Sequence, residues 1–295
     1  MFYSDPSGHS SDPFGEKMAS ILALTAALAY GAGDFLGGVA SRRAPTTAVV
    51  LWSHVVGLVL LLAAAPVVGG DATARGLLIG AGAGIVGALG VTLFYQGLAI
   101  GSMSVVAPVA GLLSAAVPVA AGVGSGERPG AMALGGIALA LVAITLVSRD
   151  GAAADGPGGN RVHALALAAG AGLAFGLFFT ALNAAGDSTG IWPLVGARGA
   201  SVALFTLLGI ARVTQAAPPR QAAGAAVGAG VLDAAANVFY VLALTHGLLS
   251  VVSVLTALYP AGTVLLARYG LGERMSSVQR TGLAVAGVSA VLIAV

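Results

Sequence analysis

Ten apolar runs, each close to the length of a bilayer crossing, dominate this chain and leave little room for anything else. They cover residues 18–40, 46–69, 75–99, 103–123, 130–148, 162–184, 190–211, 221–245, 249–269 and 277–295. A helix needs about 20 apolar residues to cross the hydrocarbon layer. With no water there to satisfy backbone groups, a helix is the only local structure such runs can adopt. The breaks are short and polar: Arg42, Arg43, Ala44 and Pro45 form one, Gly69, Gly70 and Asp71 another. Two boundaries, at Gly101–Ser102 and at His246–Gly247, follow from length, because the apolar stretches on either side are together too long for one crossing. Residues 1–17 are polar and lack the basic segment and small-residue cleavage site of a signal peptide, so the first run is expected to be a retained helix.

Composition agrees. Charged residues make up 8% of the chain, against about a quarter in a soluble domain. The 45 glycines suit closely packed transmembrane helices. A net charge of +2, dispersed over loops, gives nucleic acid no surface to bind. Without cysteine there is no disulfide and no thiolate metal site. No break is long enough for a soluble domain. The longest, 149–161, reads RDGAAADGPGGNR and is expected to be a flexible linker. It divides the chain into a tail (1–17), a first five-helix repeat (18–148), the linker, and a second five-helix repeat (162–295).

The two halves look like copies. FYQGLAIGSMSVV (94–106) resembles FYVLALTHGLLSVV (239–252), with one residue inserted. Gly126, Glu127 and Arg128 then match Gly272, Glu273 and Arg274, and Gly136 matches Gly282 in the same register. An odd number of crossings per copy forces the second copy to insert upside down. The expected fold is therefore all-α and integral to the membrane: ten transmembrane helices in a 5+5 inverted repeat around a central cavity, the usual plan of a carrier.

Of 13 basic and 11 acidic residues, only Asp34, Arg198 and Asp233 fall well inside the runs. Charges at such depth face the bundle interior or a water-filled cavity, where they pair or mark a transport path. Asn237 and Tyr240 follow Asp233 at helical spacing and share its face; Tyr30 precedes Asp34 by one turn; Ser201 and Phe205 share the face of Arg198. One reading makes Arg198 and Asp233 a structural strut. The other lets the charges line a polar cavity and meet solute or a coupling proton. Two carboxylates against one guanidinium leave one carboxylate without a fixed partner, whose counterion is then a proton, a cation or an amine. Asp34 and Asp233 are both open to that role. One carboxylate with one guanidinium would also suit a zwitterion such as an amino acid. His54 is either a hydrogen-bonded interior histidine or a solute contact. Trp52, Tyr95, Phe178, Phe179, Trp192 and Tyr259 are candidates for an aromatic wall, and Pro108, Pro118 and Pro260 for kinks.

Enzyme motifs fail on context. Residues 82–87 fit G-x-G-x-x-G but lie within a transmembrane helix with no strand before them, and 186–190 fit G-x-S-x-G in a short loop. The four histidines are scattered. No cofactor or metal is expected, and no cluster of acids and histidines suits a lipid enzyme. The other alternative is a membrane partner or sensor that transports nothing.

These features together resemble the drug/metabolite transporter superfamily, EamA type. The likeness covers about residues 19–295 and is strongest over 250–295, where Tyr259, Pro260, Gly272, Glu273, Arg274, Gln279 and Gly282 stand in familiar places. The first half keeps Gly126, Glu127 and Arg128, though Ser114 replaces a proline. The stretches AYGAGDFLGG (29–38) and LDAAANVFY (232–240) resemble a bacterial subgroup. The resemblance implies a secondary carrier, often an exporter of amino acids, other small metabolites or drugs, with a central cavity between the halves; the expected place is the bacterial inner membrane, and the sequence leaves monomer and homodimer both open. Small four-helix relatives carry a proton-exchanging glutamate in the first helix; Asp34 lies later in its helix. The resemblance also implies cytoplasmic termini. The arginines point the other way. Arg42, Arg43, Arg149, Arg161, Arg212, Arg220, Arg268, Arg274 and Arg280 lie at one end of the helices, against Lys17, Arg75 and Arg128 at the other, which puts the termini outside.

Overall fold

A computed structural model describes residues 13–149, 159–211, 217–272 and 276–294. The helices are α1 (Pro13–Ser41), α2 (Thr46–Val68), α3 (Ala74–Ile100), α4 (Met103–Gly124), α5 (Ala131–Arg149), α6 (Gly159–Ala184), α7 (Trp192–Ile210), α8 (Arg220–Leu244), α9 (Leu249–Thr256), α10 (Tyr259–Leu271) and α11 (Ser277–Ala294). They make ten crossings, because α9 and α10 are the two parts of the ninth. Eight described stretches are long and apolar enough to cross a membrane, among them Leu249–Leu271; α5 and α11 add the shorter apolar stretches Ala131–Ala143 and Ser277–Ile293. Leu28, Val59, Leu78, Leu207 and Ile210 point outward, as they can only in lipid. The first helix starts earlier than its apolar run, taking in 13–17, and α6 takes in the last three residues, 159–161, of the 149–161 stretch.

The helix contacts repeat when the halves are exchanged. α1 packs on α8 as α6 packs on α3; α3 packs on α7 as α8 packs on α2; α4 packs on α6 as α9 and α10 pack on α1. The self-related pairs also touch: α2 with α7, and α5 with α11. This is the pattern of a two-fold relation between two five-helix repeats, with α1, α3, α6 and α8 around the centre.

Proline explains where the symmetry breaks. Pro108 and Pro118 sit inside a continuous α4, whereas Pro260 opens α10 at its first turn. Pro260 has no N–H to continue the ladder, and its ring would crowd the carbonyl of Thr256. The chain turns at Ala257 and Leu258 instead, closed by Ala257 N–H to Ser253 O (2.8 Å). Gly31 of α1 lies against this break. A Cβ there would stand 2.6 Å from Tyr259 O, and Thr263 Oγ1 donates to Gly31 O at 3.2 Å.

The Gly-Glu-Arg turn has a role that its sequence does not announce. Gly126 adopts φ 98°, the left-handed region. Glu127 then reaches the start of α9, in the other repeat, where its carboxylate accepts from Leu249 N (2.8 Å) and Ser250 N (3.0 Å). An anion at a helix N-terminus satisfies free N–H groups and meets the positive end of the dipole. In the second copy Gly272 is also left-handed, at φ 70°; Glu273 and Arg274 lie outside the described residues, as does Arg212.

Candidate functional site

The three deep charges converge between the halves. α1 brings Tyr30 and Asp34, one turn apart; α8 brings Asp233 and Asn237, also one turn apart; α7 brings Arg198. They border one cavity with room of about 40 Å³ for water-sized molecules, completed by Gly87 and Val91 of α3, the phenyl rings of Phe175, Phe178 and Phe179 on α6, and Tyr259 at the start of α10.

Arg198 Nη2 donates to Asp233 Oδ2 in a close ion pair. The Arg198 side chain is 5% exposed and that of Asp233 17%, so the guanidinium is the more enclosed partner and the carboxylate meets the cavity. Behind Arg198 lies His54, whose Nε2 is 3.3 Å from Arg198 Nη1 and whose Nδ1 is 2.7 Å from Ser201 Oγ. Ser201 donates its one hydroxyl proton to Arg198 O (3.1 Å). The hydrogen therefore sits on Nδ1 of His54, which donates to Ser201, while Nε2 accepts from the guanidinium. This network assigns a neutral Nδ1–H imidazole. Arg198 is thus held from both sides.

Asp34 is in the opposite condition. Among the described residues its carboxylate makes no hydrogen bond and no ion pair. Three further polar atoms of the lining residues are buried without a partner among the described residues: Tyr30 Oη, Tyr259 Oη, and Oδ1 of Asn237, whose Nδ2 donates to Asp233 O at 2.8 Å. Buried polar atoms ordinarily find a partner, in protein or in water.

The candidates read from sequence divide cleanly. Tyr30, Asp34, Arg198, Asp233 and Asn237 line the cavity. Tyr240 and His54 do not. Tyr240 is fully buried, bonded to Ser253 Oγ at 2.9 Å, with its ring 4.5 Å from that of Phe179; it supports the aromatic wall. His54 supports Arg198. Of the suggested aromatics, Phe178, Phe179 and Tyr259 form the wall. Tyr95 is covered by Gly37 on α1, Trp52 is exposed, and Trp192 donates to Gly70 O (3.1 Å) near the start of its helix. Phe175, Val91 and Gly87 were not singled out by sequence. Among the described residues no group of His, Cys, Asp or Glu is placed to hold a metal ion.

The internal register shows how the lining arose. Gly84 fits against the backbone of Ala197, and Gly230 fits against that of Ser53. These equivalent contacts set α3 on α8 and α2 on α7. Gly87 then corresponds to Asp233, Val91 to Asn237, and His54 to Arg198. Likewise Gly31 abuts the Tyr259 carbonyl as Gly176 abuts that of Leu113. Phe175 then corresponds to Tyr30, and Phe179 to Asp34. The scaffold is two-fold, but each charge in the lining faces an uncharged counterpart.

Two inverted five-helix repeats closed on a central, partly charged cavity define a multi-pass membrane protein of the transporter type. The chain belongs to the EamA-like transporter family, whose sequence model matches residues 17–149 and again residues 163–295. The membership makes it a membrane transporter of the drug/metabolite type; the family is one of transporters rather than enzymes. Sixteen chains of solved structure match it. One, a crystal structure 18% identical in sequence, aligns over 93% of this chain and 97% of its own with a TM-score of 0.73, a likeness of fold. No curated protein matches.

Proposed function

We propose that the protein is a secondary active transporter of the bacterial inner membrane, exporting a small metabolite, amino acid-like solute or drug by alternating access. The observation that carries this reading is a partly open cavity between the repeats with a carboxylate, Asp34, that has no partner among the described residues, beside an Arg198–Asp233 pair that is already satisfied. A structural strut accounts for the pair; it does not account for Asp34 or for the bare acceptor on Asn237. In this reading Asp34 is the coupling group, holding a proton or a cationic part of the solute. The two repeats, 18–148 and 162–295, move against each other about the cavity, and the break between α9 and α10 lets the Tyr259 end follow α1.

The test is internal pH in proteoliposomes carrying the purified protein, with amino acids, amines and cationic drugs added outside. A solute-dependent pH change lost in Asp34→Asn supports the reading. Normal transport by folded Asp34→Asn and Asp233→Asn proteins would sink it. The engaged pair favours one second reading, a non-transporting partner or sensor held together by Arg198 and Asp233. Absence of any solute movement in vesicles, with stability dependent on the pair, would favour that role instead.

A further inference from the structure

The state of each polar atom in the cavity narrows the solute. Among the described residues Arg198 is the only cation in the lining, and its guanidinium meets Asp233 on one side and His54 Nε2 on the other. An incoming carboxylate would have to displace Asp233 or share with it a single positive charge that is already matched, and either way one carboxylate is left uncompensated, which is costly in a desolvated site. With both carboxylates ionised the lining carries one net negative charge. What the lining leaves unused is acceptor at the Asp34 carboxylate and Asn237 Oδ1, with Tyr30 Oη and Tyr259 Oη able to accept or to donate. An alkali ion would ask for a shell of oxygens, and much of the remaining wall is aromatic carbon. Tyr30 meets Phe179 and Tyr259 with ring centroids 5.9 and 6.4 Å away, both edge to face. Aromatic faces attract a cation within about 6 Å and accept an apolar body at the same time. An ammonium group has three donors and no acceptor, which complements the unused atoms.

We propose, resting on the carrier reading above, that the cavity takes a primary or secondary amine cation with an apolar or aromatic body and no carboxylate. The ammonium is held by Asp34, Asn237 Oδ1 and Tyr30, and the body by the phenylalanine side of the cavity. The zwitterion that a simple count of charges also allows is disfavoured, because the positive charge its carboxylate needs is already matched by Asp233.

Matched compounds test this. On a phenyl, an indole and a butyl skeleton, the amine, the amino acid, the carboxylic acid and the alcohol are compared by the rise in melting temperature of the full-length protein in detergent, and by uptake into proteoliposomes. The amine form on at least one skeleton is expected to bind, with Asp34→Asn weakening it by about 30-fold or more. Asn237→Leu, which removes an acceptor and no charge, should weaken it by about 10-fold and covers the case of an unstable Asp34 variant. Binding of amino acids, acids or alcohols as tightly as amines overturns the proposal, as does a set in which no amine binds. Transport of amino acids or acids would leave the carrier standing and remove the amine assignment. Amine binding without movement in vesicles would keep the amine site and remove the carrier.

Discussion

Removing one member of the Arg198–Asp233 pair should harm folding more than removing both. The pair joins α7 to α8, with side chains 5% and 17% exposed. Stranding one charge of a buried pair costs about 3–5 kcal/mol, whereas replacing both partners by apolar groups of similar volume is often near neutral. The two strandings are unequal here. Arg198→Met leaves Asp233 at the edge of the cavity, where water can solvate it, so the lower end of the range applies, about 3 kcal/mol. Asp233→Leu leaves the guanidinium in the more enclosed position with only His54 Nε2 beside it, so its cost should lie nearer about 5 kcal/mol. The double variant Arg198→Met/Asp233→Leu should return to within about 1 kcal/mol of the parent. Reversible unfolding in mixed micelles, followed by far-ultraviolet circular dichroism, measures all four corners of the cycle. Single variants as stable as the parent, or effects that simply add, would refute the claim that the two charges support each other. Uptake by the same proteins completes the test. A double variant that folds but moves no solute makes the pair part of the transport machinery, and one that transports normally reduces it to a strut.

Glu127→Ala should lower stability by about 1–3 kcal/mol, since Leu249 and Ser250 lose a charged acceptor at the start of α9; an unchanged thermal midpoint would mean that water replaces the cap. Gly31→Ala should destabilise by about 1–3 kcal/mol, because its Cβ would meet Tyr259 O at 2.6 Å and Gly262 Cα at 3.1 Å. Gly82→Ala, with nothing within 4 Å, is the control and should be neutral or better in the same assay. His54→Phe should unsettle Arg198 by removing the acceptor at Nε2 and the donor to Ser201; solute affinity should fall by about 10-fold while the protein stays folded, and a parental affinity would show that Asp233 alone positions the guanidinium.

Much of this was legible in the sequence because lipid enforces simple rules. Apolar length announced the crossings, and the scarcity of deep charge drew attention to Asp34, Arg198 and Asp233, all of which line the cavity. The spacing of Asp233 and Asn237 placed both on one face. Sequence could not tell that Asp34, rather than Asp233, lacks a partner, because that depends on which helix lies beside α7. Tyr240, seven residues after Asp233 on the same helical face, lies about two turns further along α8 and bonds to Ser253 instead of bordering the cavity. The division of the ninth crossing was marked only by Pro260, while Pro108 and Pro118 sit in an unbroken helix. The cap at Glu127 joins residues far apart in the chain, so its motif reads locally as no more than a turn.

The uneven lining has a kinetic consequence. If the two repeats exchange shapes as the cavity opens first to one side and then to the other, a symmetric lining would offer the solute the same surroundings in both states. Here α1, α7 and α8 carry the polar groups, while α3 and α6 answer with Gly87, Val91 and the phenylalanines. A solute thus meets different surroundings in the two states. Half-saturation concentrations should therefore differ between the two directions. The equilibrium distribution owes nothing to that difference, so the unevenness sets how fast each direction runs at a given concentration and leaves the end point unchanged.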